Sequence, residues 1–175
     1  MAAAAGATIP DVLADNLRVV FVGINPSLYS AAVGHHFARP GNRFWPALHE
    51  GGFTPRRFSP FEDQKLIEQG VGLTNFVDRA TARADELAEA ELIAGAKKLA
   101  RKLQRHRVRC AAFLGVTAYR SAFGRPRAQI GLQSETLGAT QLWVLPNPSG
   151  LNAHFQQADF ARLFTELRLY LESAQ

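Results

Sequence analysis

Short apolar runs punctuated by glycine and proline alternate along this chain with longer stretches whose apolar residues recur every three to four positions. The first run, Val19 to Val22 within residues 18–24, passes straight into Gly23-Ile24-Asn25-Pro26 and reads as a strand covered on both faces. A polar loop with two adjacent histidines follows. Next comes a helix that Asn42 would cap, running through Phe44, Trp45 and Leu48 to Gly51-Gly52. Pro46 falls in its first turn, where a missing N–H is tolerated. Residues 53–61 read as loop, 62–69 as a short helix ending at Gly70, and 72–81 as a short strand or extended segment.

The clearest helix spans residues 86–106, where Leu92, Ala96, Leu99 and Leu103 share one face of a 3.6-residue period. Residues 108–114 form a buried strand closed by Gly115, and 116–123 a short helix ended by Gly124. Residues 131–138 read as irregular or a weak strand. Residues 140–145 are the second well-defined strand, leading into Pro146-Asn147-Pro148-Ser149-Gly150-Leu151. A last helix over 159–171 turns Phe160, Leu163, Phe164, Leu167 and Leu171 inward. Strands alternating with helices predict an α/β fold with a mostly parallel central sheet sandwiched between helices. In such sheets ligands sit just past the carboxyl ends of the strands. Asn25 and the Asn147–Leu151 stretch are therefore expected to face each other across one cleft.

A length of 175 residues with 47% apolar content suits one domain with a full core. The expected division is a flexible, alanine-rich lead-in over 1–15 and a single domain over 16–175. The opening MAAAAGATIP has no basic region and too short an apolar run for a signal peptide or a membrane span. A net charge of +5 and a pI near 9.9 suit a polyanionic partner. Cys110 is the single cysteine, which excludes internal disulfides and thiolate-held zinc or iron–sulfur clusters. It points to a reducing compartment and reads as a small core residue.

Several residues carry two readings each. Lys97, Lys98, Arg101, Lys102, Arg105, Arg107 and Arg109 crowd one helix end with no acid among them. They are either a solvated face that suits the helix dipole or a phosphate-tracking patch. Asn-Pro at 25–26 is a common turn initiator, but a fixed amide can also hold a water molecule or donate to an oxygen. His35 and His36 lie adjacent on an extended loop without an acidic or thiol partner at ligand spacing, so no metal site is expected. Phe37 is either a stacking ring for a flat ligand or a loop anchor. Leu151, at a loop tip beside Gly and Ser, is either a hydrophobic staple for the next helix or an apolar wedge between bases.

Taken together, GINPSLYSAAVGHHFARPGNRFW and the distant LWVLPNPSGL resemble the mismatch-specific uracil-DNA glycosylase family, which includes thymine-DNA glycosylase. The similarity runs from about Arg18 onward and takes in GLTNFVDRAT, the Gly95-Ala96-Lys97-Lys98-Leu99 helix and FLGVTAY. It implies a three-layer α/β/α domain that flips uracil out of double-stranded DNA and hydrolyses its glycosidic bond, leaving an abasic site. No metal or cofactor is implied, and the setting implied is cytoplasmic, on the nucleoid, as a monomer. Uracil mismatches in duplex DNA are the implied partner, with no membrane involved.

By the same resemblance Asn25 positions the hydrolytic water and Phe37 stacks on the flipped base. Ile24, His36, Asn75, Thr81 and Asn147 line the base pocket, and Ser30 stands beside the C5 edge of the base. Ser149, Gly150, Leu151 and Asn152 enter the duplex and meet the orphaned base. Asn152-Ala153 stands where the bacterial branch carries Ser-Arg. Because Asn is a weak base, Asp78 is the candidate carboxylate to assist the water; its other reading is a structural ion-pair partner or cap. Two other classes compete: a non-catalytic lesion-binding protein of the same fold, and an α/β enzyme acting on free nucleotides.

Overall fold

The computed structural model describes residues 2–174. Five strands form one sheet: β1 (Val19–Gly23), β2 (Val71–Asn75), β3 (Cys110–Leu114), β4 (Gly131–Leu137) and β5 (Thr140–Leu145). Their order is β2-β1-β3-β5-β4, parallel except for β4. The chain moves from β1 outward to β2, then crosses to the other side of β1 to lay down β3. That reversal makes a topological switch point, with a crevice at the carboxyl ends of the strands. The register places those ends level, pairing Gly23 with Asn75 and Leu114 with Leu145.

The helices are α1 (Leu28–Val33), α2 (Phe44–Glu50), α3 (Glu89–Arg105), α4 (Val116–Phe123) and α5 (Gln157–Ser173). Side chains of β1 alternate between two cores, as a two-residue period requires. Val19 and Phe21 pack with Phe44, Leu48, Phe160 and Phe164 of α2 and α5. Val20 and Val22 pack with Leu92, Leu99, Leu103 and Tyr119 of α3 and α4. The result is three layers, with β1, β2 and β3 buried along their whole length. Cys110 is wholly buried in this interior, which pushes its thiol pKa up to about 12.

Gly95 explains how α3 comes so close to the sheet. A Cβ there would lie 2.1 Å from the Phe76 carbonyl oxygen. A glycine inside a helix costs roughly 0.5–1 kcal/mol relative to alanine, and here the contact with the end of β2 requires it.

The structure departs from the sequence-based expectation in several places. Residues 28–33, expected as loop, form α1: the Ser27 hydroxyl accepts from the Ser30 N–H, and Gly34 closes the helix at φ 79°. Asn42 caps α2 from one residue further out, its Oδ1 accepting from the Phe44 N–H. Pro60–Gln69 is 3-10 rather than α, entered through a Ser59–Glu62 capping box. Residues 84–86 make a separate 3-10 turn, so α3 starts at Glu89. The weak segment over 131–138 is a regular edge strand, antiparallel to β5 and bulged between Leu132 and Thr136.

The lead-in expected to be flexible is instead packed on the domain. Val12 is fully buried and exchanges both backbone hydrogen bonds with Leu73, and Ile9 is buried beside it. Further out, Gly6 and Ala7 bond with Ala80. Ala-rich composition hid a short edge segment that extends the sheet beyond β2.

Candidate active site

A cleft of about 730 Å³ opens at the carboxyl ends of β1, β2, β3 and β5. Its walls include Ile24, Asn25, Ser30, His36, Phe37, Asn75, Thr81, Asn147, Ser149, Gly150, Leu151 and Asn152. Every residue expected at the site is there except one.

Asn25 is held by the turn that follows β2. Thr81 donates its N–H to the Pro26 carbonyl, and Ser27 and Thr81 form an isolated parallel bridge. The Asn25 Nδ2 donates to the Arg79 carbonyl at 2.9 Å and to Thr81 Oγ1 at 2.8 Å. A carbonyl oxygen can only accept, so the group facing Arg79 must be the NH2. The Asn25 carbonyl oxygen has no donor among the described residues and lies on the wall of the cleft. Thr81, expected to touch the base, is already engaged: its hydroxyl accepts from Asn25 and donates to the Arg83 carbonyl at 2.7 Å. It orients the amide instead.

Gly23, Asn75 and Phe37 meet behind the turn. A Cβ on Gly23 would lie 2.5 Å from Asn75 Oδ1 and 3.2 Å from the Phe37 ring. Asn75 is 8% exposed and lines the cleft, where no side-chain hydrogen bond among the described residues engages its amide. Phe37 has φ 52°, an uncommon conformation for an aromatic residue. Its neighbours impose it, because the Trp45 indole N–H donates to the His36 carbonyl and the Ala38 N–H to Ser30 Oγ. The ring rests against Phe44 with centroids 4.4 Å apart. Phe37 is thus both a packed ring and a cleft wall.

The two histidines separate. His35 turns to the buried carboxylate of Asp63, at 3.2 Å. His36 is 1% exposed and directs Nε2 to the Pro10 carbonyl at 2.8 Å, so Nε2 carries the proton. Burial lowers its pKa below the ordinary histidine value, outweighing the Pro10 bond and the nearby Asp63 and Asp11 carboxylates. Among the described residues no group of three His, Cys, Asp or Glu side chains is placed to hold a metal ion, and no helix is long and apolar enough to cross a membrane.

Asp78 is the residue that does not belong. It lies outside the cleft wall on an exposed turn, with its carboxylate 3.1 Å from Lys98 of α3. The chain leaves the sheet after Phe76 and turns Asp78 towards α3, where it pairs with Lys98. Asp85 is the one carboxylate on the described cleft wall; it sits exposed and paired with Arg83. No sequence signal distinguished it from its neighbours.

Residues 147–152 close the cleft from the β5 side. Asn147 Oδ1 accepts from the Ser149 N–H, and Asn152 Nδ2 donates to the Asn147 carbonyl. Asn147 therefore shapes this turn as well as lining the cleft. Leu151 stands 71% exposed at its tip. Gly150 lies against the chain at Gly41, where a Cβ would come within 2.8 Å of the Gly41 carbonyl oxygen. Arg43, which no motif singled out, donates to carbonyls at both ends of the turn.

The basic run lies along α3 and beyond it. Lys98, Lys102 and Arg107 are paired with Asp78, Asp11 and Asp15, whereas Lys97, Arg101 and Arg105 are exposed with no ion-pair partner among the described residues. None of these residues lines the cleft.

Fold and cleft define a doubly wound α/β protein whose binding site, at the switch point, is walled by amides and an aromatic ring and carries an exposed leucine at its rim. The chain belongs to the uracil DNA glycosylase superfamily, whose model matches residues 10–168, and that membership makes it a DNA glycosylase by family. The fold is similar to the solution structure of a protein from Methanosarcina acetivorans proposed to be a uracil DNA glycosylase. That match has a TM-score of 0.62 and 20% identity, covering 93% of this chain and 98% of the other.

Proposed function

We propose that this protein excises uracil from duplex DNA, preferring G·U mismatches, by hydrolysis that leaves an abasic site. The observation that carries this reading is the Asn25 amide: its NH2 is tied down twice and its oxygen left open in the same cleft that Leu151 borders. A base inside a duplex is unreachable and must be everted, at a cost of a few kcal/mol that is least for a mismatched pair. Leu151 has the exposure to fill the gap, Phe37 offers a ring for the everted base, and Asn75 an unused amide. As the glycosidic bond breaks, negative charge grows on the pyrimidine and positive charge on the sugar. The amide N–H of Asn75 would stabilise the leaving anion, and a water held by the Asn25 oxygen would add at C1′.

Three finer points follow. No lysine lines the described cleft, so no amine stands ready to form a Schiff base and cleave the strand, which supports a hydrolase without lyase action. Asn25 is a poor base and the nearest expected carboxylate is committed to Lys98. Turnover should therefore be slow, since general-base assistance is typically worth ~10²–10⁴-fold. Ser30 is buried with its hydroxyl engaged by Ala38 and Ser27. It supports a close-fitting wall where an added methyl group discriminates by roughly 10–200-fold, so uracil should be cut well ahead of thymine.

The test is a duplex with one G·U pair, incubated with the protein and then treated with alkali. Strand cleavage supports the reading. Tight binding without cleavage favours a lesion-binding protein instead, and equal excision of thymine opposite guanine removes the specificity.

A further inference from the structure

We propose that Arg43 is the positioning residue that presents Leu151 to the duplex; this rests on the uracil-excision reading above. The turn over 147–152 buries Pro148 but points its one large apolar side chain, Leu151, outward. Arg43 supplies the hold. Its backbone N–H donates to the Pro148 carbonyl at 2.9 Å. Its guanidinium donates through Nη2 to the Ser149 and Asn152 carbonyls and through Nη1 to the Phe155 carbonyl. One side chain thus ties the residue before Gly150-Leu151, the residue after them, and the start of the path to α5.

The geometry calls for a guanidinium. Carbonyls at separate points of the turn need donors spread across a rigid plane, which a lysine ammonium does not offer. The plane also lies over the Phe160 ring, 4.7 Å from its centroid, which fixes its tilt. Arg43 Nε is buried with no acceptor, a cost that a merely solvated arginine would not bear. On the other side, Gly150 rests on the Gly41 carbonyl. The wedge is therefore braced from the segment 41–43, immediately after the loop that carries His36 and Phe37. Base pocket and wedge share one short stretch of chain, and Arg43 is the link between them.

Two measurements on Arg43→Gln and Arg43→Lys test this. In the free protein, amide exchange over residues 149–155 should speed up at least ~10-fold while β1 and β3 keep their protection. In single-turnover excision from a G·U duplex, Arg43→Gln should lose roughly 10-fold, about as much as Leu151→Ala, and add less than ~2-fold in the Leu151→Ala background. Arg43→Lys, which keeps the charge and loses the fork, should follow Arg43→Gln and serves where the glutamine variant fails to fold. Unchanged exchange at 149–155, or effects that multiply in the double variant, would overturn the proposal. If the unaltered protein excises no uracil, the functional reading falls, while the exchange result still decides whether Arg43 holds the turn.

Discussion

The turn after β1 and the turn after β5 face the same cleft, but they are held in different ways. Asn25 follows a strand buried on both faces, and its amide is pinned by a neighbouring backbone carbonyl and a buried hydroxyl. The turn that carries this hydroxyl is joined to the segment after β1 by the bridge between Ser27 and Thr81. The β5 turn projects an exposed leucine and depends on one guanidinium reaching in from the segment before α2. A group that must fix a water molecule gains from rigidity, since small misplacements of reacting groups are expensive. A wedge must enter and leave a base stack, and a turn that carries its leucine outward while Arg43 holds its backbone suits it.

The sharpest way to break this contrast is to remove the pinned amide. Asn25→Ala should slow single-turnover excision by about 10²-fold or more while leaving thermal stability near that of the parent. Thr81→Val, which keeps the shape and loses the hydroxyl that orients the amide, should cost about 10-fold. Unchanged excision by Asn25→Ala would remove the role assigned to it. Next in size is Gly23→Ala. Its methyl group would overlap Asn75 Oδ1 and press on Phe37, so the loss, again about 10-fold, should fall on base binding and raise KM more than it lowers kcat. At the β5 turn, Gly150→Ala should push the wedge off Gly41 and cost several-fold on duplex substrate only. Asp78→Asn should change the rate by less than ~2-fold, as expected of an exposed ion pair; a larger loss would return Asp78 to the chemistry.

How much of this was readable beforehand depended on how strong the local pattern was. The buried strands and α3 announce themselves, because two-sided burial gives unbroken apolar runs and a helix face repeats Leu92, Ala96, Leu99 and Leu103. The paired turns were legible because each ends such a strand. Helix α1 was missed because six residues are too few to show a period. The role of residues 9–12 was missed because their pairing with Leu73 and their hold on His36 are long-range contacts in an alanine-rich setting. Asp78 carries two readings, base or ion-pair partner, because sequence places it near the site without telling which way it turns; in the structure its carboxylate meets Lys98. Arg43 carries no signal at all, since the carbonyls it binds lie more than a hundred residues away.

His36 acts on stability and not on rate, and it bears on the rigid side of the comparison, because its bond to Pro10 fastens the N-terminal segment to the pocket wall. Burial keeps the folded-state pKa below its ordinary value near 6.5. In the unfolded chain the same imidazole takes up a proton as the pH drops through about 6.5. Between that point and the lowered folded value, the unfolded state binds more protons, so stability falls with falling pH. The contribution is complete above about pH 6.5 and declines below it, by at most about 1.4 kcal/mol per pH unit for one proton. Thermal unfolding followed from about pH 7 to 5.5 should therefore slope more steeply in the parent than in His36→Gln, which keeps a donor for Pro10 and cannot titrate. Amides of residues 9–12 should lose protection over the same range before those of β1 do. Equal slopes in the two proteins would mean that burial does not hold the His36 imidazole below its ordinary value.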